Sequence, residues 1–299
     1  MCLIAFALNA TSRWPLVIAA NRDEFLDRPT VPLARWNTPA GQHIISGRDL
    51  RAGGAWFGIS PGGRVAFLTN VREADPLPAA RSRGELVTRW LESSGDAEDF
   101  LTGLAADPIS FAGFNLVLGD FGRSQWHWVT NRTSRWPQDR AWHLEALKPG
   151  VYGLSNAALD SPWPKTTRLK SVLGQSLQAN DPTGYLPALQ ADLWQALGSR
   201  EQASAENLPA TGLPLLREEA LSRAFVDIPD YAYGTRSSTL LTASADAGGW
   251  DVQMEEREHL RTAVPTGQAP NPHWQARREN LHWPVASALP LPLPNFTAA

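Results

Sequence analysis

The chain has 299 residues, 43% of them hydrophobic and 13 of them Trp, and a formal net charge of −3. That length fits one large domain or two small ones with a sizeable core, and the slightly acidic balance offers no basic face for nucleic acid. A single cysteine excludes an internal disulfide and any cysteine-based metal centre. No stretch approaches the roughly 18 apolar residues of a membrane-spanning helix, and the first residues lack the pattern of a secretion signal. The expectation is a soluble, cytoplasmic protein with no transmembrane segment. On that expectation the Asn-x-Ser/Thr triplets at Asn9, Asn131 and Asn295 are chance matches.

Residues 2–8 and 16–20 are two short apolar, β-prone runs joined by turn residues 11–15, which predicts a hairpin buried on both faces. The second run ends in Asn21-Arg-Asp-Glu24, four polar residues at the end of a buried strand, where polar groups need partners or a role. Residues 25–36 read as loop and His43–Ser46 as a strand. Residues 47–54 form a glycine-bearing loop, and residues 71–81 another. Residues 55–60 and 64–70, joined by Pro61-Gly-Gly63, predict a second hairpin. Ser82 and Glu85 fit a capping box, with Leu86, Val87, Trp90 and Leu91 on one helical face. Asp96 opens a second helix.

Strands follow at 112–119, 125–130, 142–145 and 151–156. Leu169, Val172, Leu173 and Leu177 mark a helix over 166–178. Asp181-Pro182 predicts the start of another helix that ends at Gly198. A polar loop over 199–212, a short helix over 218–225 and strands at 237–243 and 249–255 complete the body. From about Ala263 the chain is rich in Pro and reads as extended, polyproline-II-like tail. One domain over 1–262 with an extension over 263–299 is the expected organisation. Strand runs joined by hairpins, with helices in separate blocks, argue α+β with mainly antiparallel sheets.

The chemistry narrows by elimination. Gly58-Ile-Ser-Pro-Gly62 matches the nucleophile-elbow pattern, but Pro61 removes the N–H that the elbow needs as an oxyanion donor. No zinc-type histidine spacing and no glycine-rich phosphate loop occurs. The cysteine at position 2 is left. With Met1 removed, one residue would carry a thiol and an α-amine, and that amine titrates at about 8, suited to act as the thiol's base. Polar residues stranded at apolar strand ends are the candidates to accompany it: Asn21, Arg22, Asp23, Asn70, Asn156 and Arg236. Each one singly also fits a turn, cap or surface role.

Several of these lie in specific stretches: Met1-Cys-Leu-Ile4, Ala19-Ala-Asn-Arg-Asp-Glu-Phe25, Gly47-Arg-Asp49, Gly53-Gly-Ala-Trp-Phe-Gly58, Phe67-Leu-Thr-Asn70, Gly113-Phe-Asn-Leu116, Gly153-Leu-Ser-Asn156 and Tyr233-Gly-Thr-Arg-Ser-Ser238. They resemble the NRDE family, also called the transport and Golgi organisation protein 2 family, over residues 1 to about 245. The resemblance implies an N-terminal-nucleophile (Ntn) hydrolase fold, a four-layer αββα sandwich. It associates the chain with secretion and Golgi organisation, haem trafficking, and acyl-lipid or coenzyme A metabolism.

More distantly the chain is similar to the cysteine amidases choloylglycine hydrolase and penicillin V acylase. By that similarity Cys2 is the nucleophile, Asp23 holds its amine, Asn156 is the oxyanion donor, and Arg236 lies near the nucleophile. Asn21, Arg22 and Asn70 fall to substrate or oxyanion binding. Where the amidases carry an arginine three residues before the aspartate, this chain has Ala20. Strand alternation is expected to turn the nearby Arg22 to the other face. Two functions are expected: an amide or thioester hydrolase that needs no cofactor and acts on a small acyl substrate, or a carrier of haem or an acyl lipid in an apolar cleft.

Overall fold

The computed structural model describes residues 2–74, 79–105, 111–132, 142–246, 248–260 and 273–284. In chain order, β1 (Cys2–Leu8) and β2 (Leu16–Phe25) form the first hairpin, followed by β3 (Thr30–Asn37), β4 (His43–Asp49), β5 (Phe57–Ile59) and β6 (Arg64–Asn70). Helices α1 (Gly84–Glu92) and α2 (Ala97–Ala105) precede β7 (Phe114–Asp120), β8 (Gln125–Thr130), β9 (His143–Ala146) and β10 (Gly150–Leu154). Helices α3 (Pro164–Asn180), α4 (Leu186–Leu197) and α5 (Leu215–Ala220) lead to β11 (Asp227–Ile228), β12 (Tyr233–Asp246), β13 (Gly249–Leu260) and β14 (His273–Pro284).

The strands form two seven-stranded sheets. One runs β10-β1-β2-β12-β13-β14 with β11 paired to β12, and the other runs β3 to β9 in sequence order. All pairings between these strands are antiparallel. Alternation along β1 separates two cores. Ile4, Phe6 and Leu8 join Phe57, Phe67 and Val117 between the sheets. Leu3, Ala5 and Ala7 pack with Leu169 and Leu173 of α3 and Leu189 and Leu193 of α4. On the far side of the second sheet, Ala66, Leu68 and Leu116 meet Leu86, Val87 and Trp90 of α1. The layer order is therefore helix, sheet, sheet, helix, which is the αββα sandwich that the resemblance implied.

Several boundaries differ from the sequence reading. Residues 30–37, read as loop, form β3 at the edge of the second sheet. Pro32 is accommodated there because an edge strand need not donate every N–H, and the register shifts between Val31 and Ala34. Asp181-Pro182 does not start α4. The intervening turn contains Gly184 at φ +65°, a conformation that breaks a helix, and α4 begins at Leu186. Helix α5 begins after Pro214, earlier than expected, because the fixed φ of proline suits a helix start. Within the stretch read as tail, residues 273–284 form β14, paired along its length with β13. The proline-rich remainder, 261–272 and 285–299, lies outside the described residues.

At α1 the expected capping box takes another form. The Gly84 N–H donates to the Ser82 hydroxyl at 3.3 Å, and the Glu85 carboxylate accepts from Arg81 Nε at 2.8 Å instead of reaching back to Ser82. The start of α1 lies against Gly54: a Cβ on Gly54 would stand 2.5 Å from the Gly84 carbonyl carbon and 2.9 Å from the Glu85 nitrogen. Backbone atoms cannot move aside as a flexible side chain can. Gly54→Ala is expected to lower unfolding free energy by about 1–3 kcal/mol, as overpacking does. Urea denaturation measures it, and a midpoint equal to that of the parent would show that this contact is slack.

Candidate active site

Cys2 is the first residue of β1 and pairs in register with Arg22 of β2. By strand alternation both face the space between the sheets, whereas Asn21 and Asp23 face the layer of α3 and α4. Cys2 and Arg22 line one cleft of about 110 Å³, together with Asn70 and with Arg83 from just before α1. This corrects the expected orientation of Arg22. Alternation puts it on the face of Ala20, two residues earlier, and that is the face of Cys2. There the guanidinium charge favours the ionised form of the Cys2 thiol.

Burial pushes the Cys2 thiol up, the nearby Asp23 charge pushes the same way, and Arg22 together with the Asp23 backbone N–H pulls it down. The net direction is upward, so at neutral pH the sulfur is held as a thiol that needs a base.

Asp23 is gripped by β12. The Thr235 hydroxyl donates to Asp23 Oδ1 at 2.7 Å, and the Tyr233 hydroxyl donates to the Asp23 carbonyl at 3.0 Å. Two residues back, Asn21 donates its side-chain amide to the carbonyls of Leu197 (2.9 Å) and Ala224 (2.8 Å) and accepts from Ser238 at 2.6 Å. Asn21 thus ties the strand to the helical layer and does not line the cleft.

A register shift in the β2–β12 pairing between Thr235 and Ser237 leaves Arg236 as the bulged residue. Such a bulge re-aims a side chain. The Arg236 Nη1 donates to the carbonyls of Phe25, Leu26 and Arg28 at 3.1, 2.9 and 2.8 Å, fixing the chain after β2 while the residue also borders the cleft.

Asn156 sits one step behind the cleft. Its Nδ2 donates to the Asn70 carbonyl at 2.9 Å, and the neighbouring Ser155 hydroxyl donates to the Cys2 carbonyl at 2.9 Å. Asn70 lines the cleft, and its side-chain amide has no hydrogen-bond partner among the described residues.

Sequence reasoning passed over Thr235, Arg83 and Lys165. Thr235 stood within a quoted motif and was recoverable. Lys165, in the first turn of α3, is 2% exposed and its Nζ has no hydrogen-bond partner among the described residues. Nothing in a Pro-Lys-Thr-Thr helix start marks a lysine as buried. Burial lowers its pKa to about 8, and the Asp23 charge opposes that shift. Burial likewise raises the Asp23 carboxyl, with Lys165 the strongest opposing charge. The two groups each favour the other's ionised form behind the thiol. Among the described residues the one constellation with metal-ligand spacing is Asp246, Asp251 and His282, all exposed and on the β12–β14 end of the first sheet, away from Cys2.

The family pattern described as Transport and Golgi organisation 2 matches residues 1–260. The chain belongs to the Transport and Golgi organisation 2 family. A Bos taurus Transport and Golgi organization protein 2 homolog is 34% identical over 273 residues, covering 87% of this chain and 94% of its own. The Homo sapiens homolog is 32% identical, covering 93% and 97%, and the Drosophila melanogaster protein is 26% identical, covering 92% and 95%. Among solved structures, a Caenorhabditis elegans N-acylethanolamine-hydrolyzing acid amidase ortholog superposes with a TM-score of 0.45 at 11% identity, covering 80% of this chain and 92% of that one. A mutant conjugated bile acid hydrolase from Clostridium perfringens gives 0.45 at 7% identity, covering 96% and 100%. In this family member no helix among the described residues is long and apolar enough to cross a membrane.

Two outcomes follow from the polar groups around Cys2. Asn21→Ala orphans two buried carbonyls, so it should destabilise by about 1–3 kcal/mol per group left unpaired while the alkylation rate of Cys2 stays unchanged. Slower alkylation with unaltered melting would instead put Asn21 at the reacting centre. Lys165 gives a pH signature. Its folded pKa is about 8 and its unfolded value is ordinary for lysine, so between about pH 8 and about pH 10.4 the unfolded chain holds more protons. Stability therefore rises with pH across that window, by at most about 3 kcal/mol, and Lys165→Met should flatten the rise. Urea midpoints at pH 8 and 10 read it, and equal slopes in parent and variant would contradict the assignment.

Proposed function

We propose that this chain is a cysteine N-terminal-nucleophile hydrolase that cleaves an amide or thioester bond, with Cys2 as the nucleophile. The observation that carries the reading is the seat of Cys2: first residue of a buried strand, open to a charged cleft, with Arg22 across from it. Removal of Met1 gives this residue a free α-amine. The amine takes the thiol proton, and Asp23 holds the resulting ammonium. Sulfur bonds to the carbonyl carbon, and the carbonyl π pair moves to oxygen. Asn70 donates to that oxyanion from the cleft wall, and Asn156 keeps Asn70 in place through its backbone carbonyl. When the tetrahedral intermediate collapses, the C–N or C–S bond of the substrate breaks and the ammonium returns its proton to the leaving group. Water then hydrolyses the acyl-cysteine thioester, with the amine again as base.

The charged lining supports this reading over a carrier of haem or an acyl lipid, which calls for an apolar wall. In this scheme Arg236 shapes the cleft by holding residues 25–28.

Cys2→Ala removes a small thiol from a site where alanine fits, so melting should change little. Hydrolysis of N-acyl and thioacyl chromogenic substrates should fall by about 10³-fold or more, as loss of a covalent nucleophile does. Intact mass should show Met1 absent from the active protein. Turnover surviving in Cys2→Ala, or activity with Met1 in place, would overturn the mechanism.

A further inference from the structure

Most charged groups around the cleft are matched. Arg28 Nε lies 2.5 Å from Asp49 Oδ2, and Arg22 Nη2 lies 3.5 Å from the same atom and 3.8 Å from Glu24. Arg236 is bonded to three carbonyls. Glu256 accepts the Leu33 N–H at 2.7 Å.

Arg83 differs. Among the described residues its hydrogen bonding is limited to Nη1 donating to the Gly113 carbonyl at 3.0 Å, and no carboxylate pairs with it. A guanidinium carries five N–H donors in a planar fork, so most of its capacity stays open. Glu24 and Glu73 act on it through space. Glu73 is bonded to Arg132 Nε at 2.6 Å, and Glu24 lies by Arg22 and Arg28. Burial lowers the Arg83 pKa, and the strongest influence in the other direction is the charge of Cys2. Arg83 thus stands on the cleft wall that leads into α1, within electrostatic reach of Cys2. The backbone contact between Gly54 and Gly84 anchors it there.

We propose that the cleft over Cys2 takes substrates that bear a carboxylate or another compact anion close to the reacting carbonyl, and that the Arg83 guanidinium receives this anion. The inference rests on Cys2 being the cleft nucleophile. A planar fork with open donors matches a carboxylate in bidentate fashion, which a neutral amide cannot do. Arg22 and Arg28, already facing Asp49, would not compete for it.

Alkylation of the full-length protein tests the site without any turnover. Cys2 is the only cysteine, so intact mass reports its modification alone. Iodoacetate carries the anion next to the reacting carbon, and iodoacetamide is its neutral counterpart. In the parent, the iodoacetate-to-iodoacetamide rate ratio should exceed that of free cysteine. Arg83→Met should cut the ratio about tenfold, as loss of a charge-assisted hydrogen bond does, and Arg83→Lys should restore part of it. An equal fall for both reagents would mean that Arg83 acts on the thiolate and not on an anion, and the proposal fails. A ratio unmoved by Arg83→Met also overturns it.

If Arg83→Met does not fold, the parent still decides. Sodium acetate should protect Cys2 from iodoacetamide saturably while acetamide does not, and absence of that difference refutes the anion site. Loss of the hydrolase reading, by activity surviving in Cys2→Ala, would leave these rate ratios as they are, so the two failures are separable.

Discussion

The register that seats β2 between β1 and β12 is the constraint on which the site depends. It sets Cys2 opposite Arg22, and it brings Thr235 and Ser238 of β12 against Asp23 and Asn21. A slip of one residue in either ladder would turn Arg22 toward the helices and Asp23 into the cleft. The four polar residues 21–24 are therefore two sets on two faces. One set borders the cleft, and the other bolts the strand to what lies behind it. The second set is buried, and the Asn21 amide and Asp23 Oδ1 are bonded to fixed partners, so it locks the register that the first set needs.

Much of this architecture was legible in the sequence. The two N-terminal runs were apolar on both faces and could only be a buried hairpin, and Leu169, Leu173 and Leu177 marked the face of α3 that covers it. What escaped was decided by tertiary context. Residues 30–37 have no clean alternation because the strand carries Pro32 and a register shift, so β3 read as loop. Residues 273–284 were judged by the prolines around them, although β14 pairs without interruption. The roles of single asparagines were less legible still. Asn21, Asn70 and Asn156 all sat at strand ends, and only the third dimension separates the one that binds carbonyls of the helical layer from the one that borders the cleft.

The electrostatics divide in the same way. In front of the thiol, cations at 22 and 83 border the cleft. Arg22 comes from β2 and Arg83 from just before α1. Behind the thiol, Asp23 and Lys165 are buried together with Arg72 and Glu218, which pair with each other. Desolvation drives Asp23 and Lys165 toward neutrality and their mutual attraction drives them toward charge.

The cleft has its jaws on different sheets: Cys2 and Arg22 on one, Asn70 and the approach to α1 on the other. What separates the jaws is the filling between the sheets, where the Phe6 and Phe67 rings meet edge to face with centroids 5.1 Å apart and Phe57 stands 5.7 Å from Phe67. Those rings work as the spacer of a calliper. Trimming one to an aliphatic side chain would change the gauge of the slot without touching any group in it, so the width of the cleft is tunable from the aromatic filling.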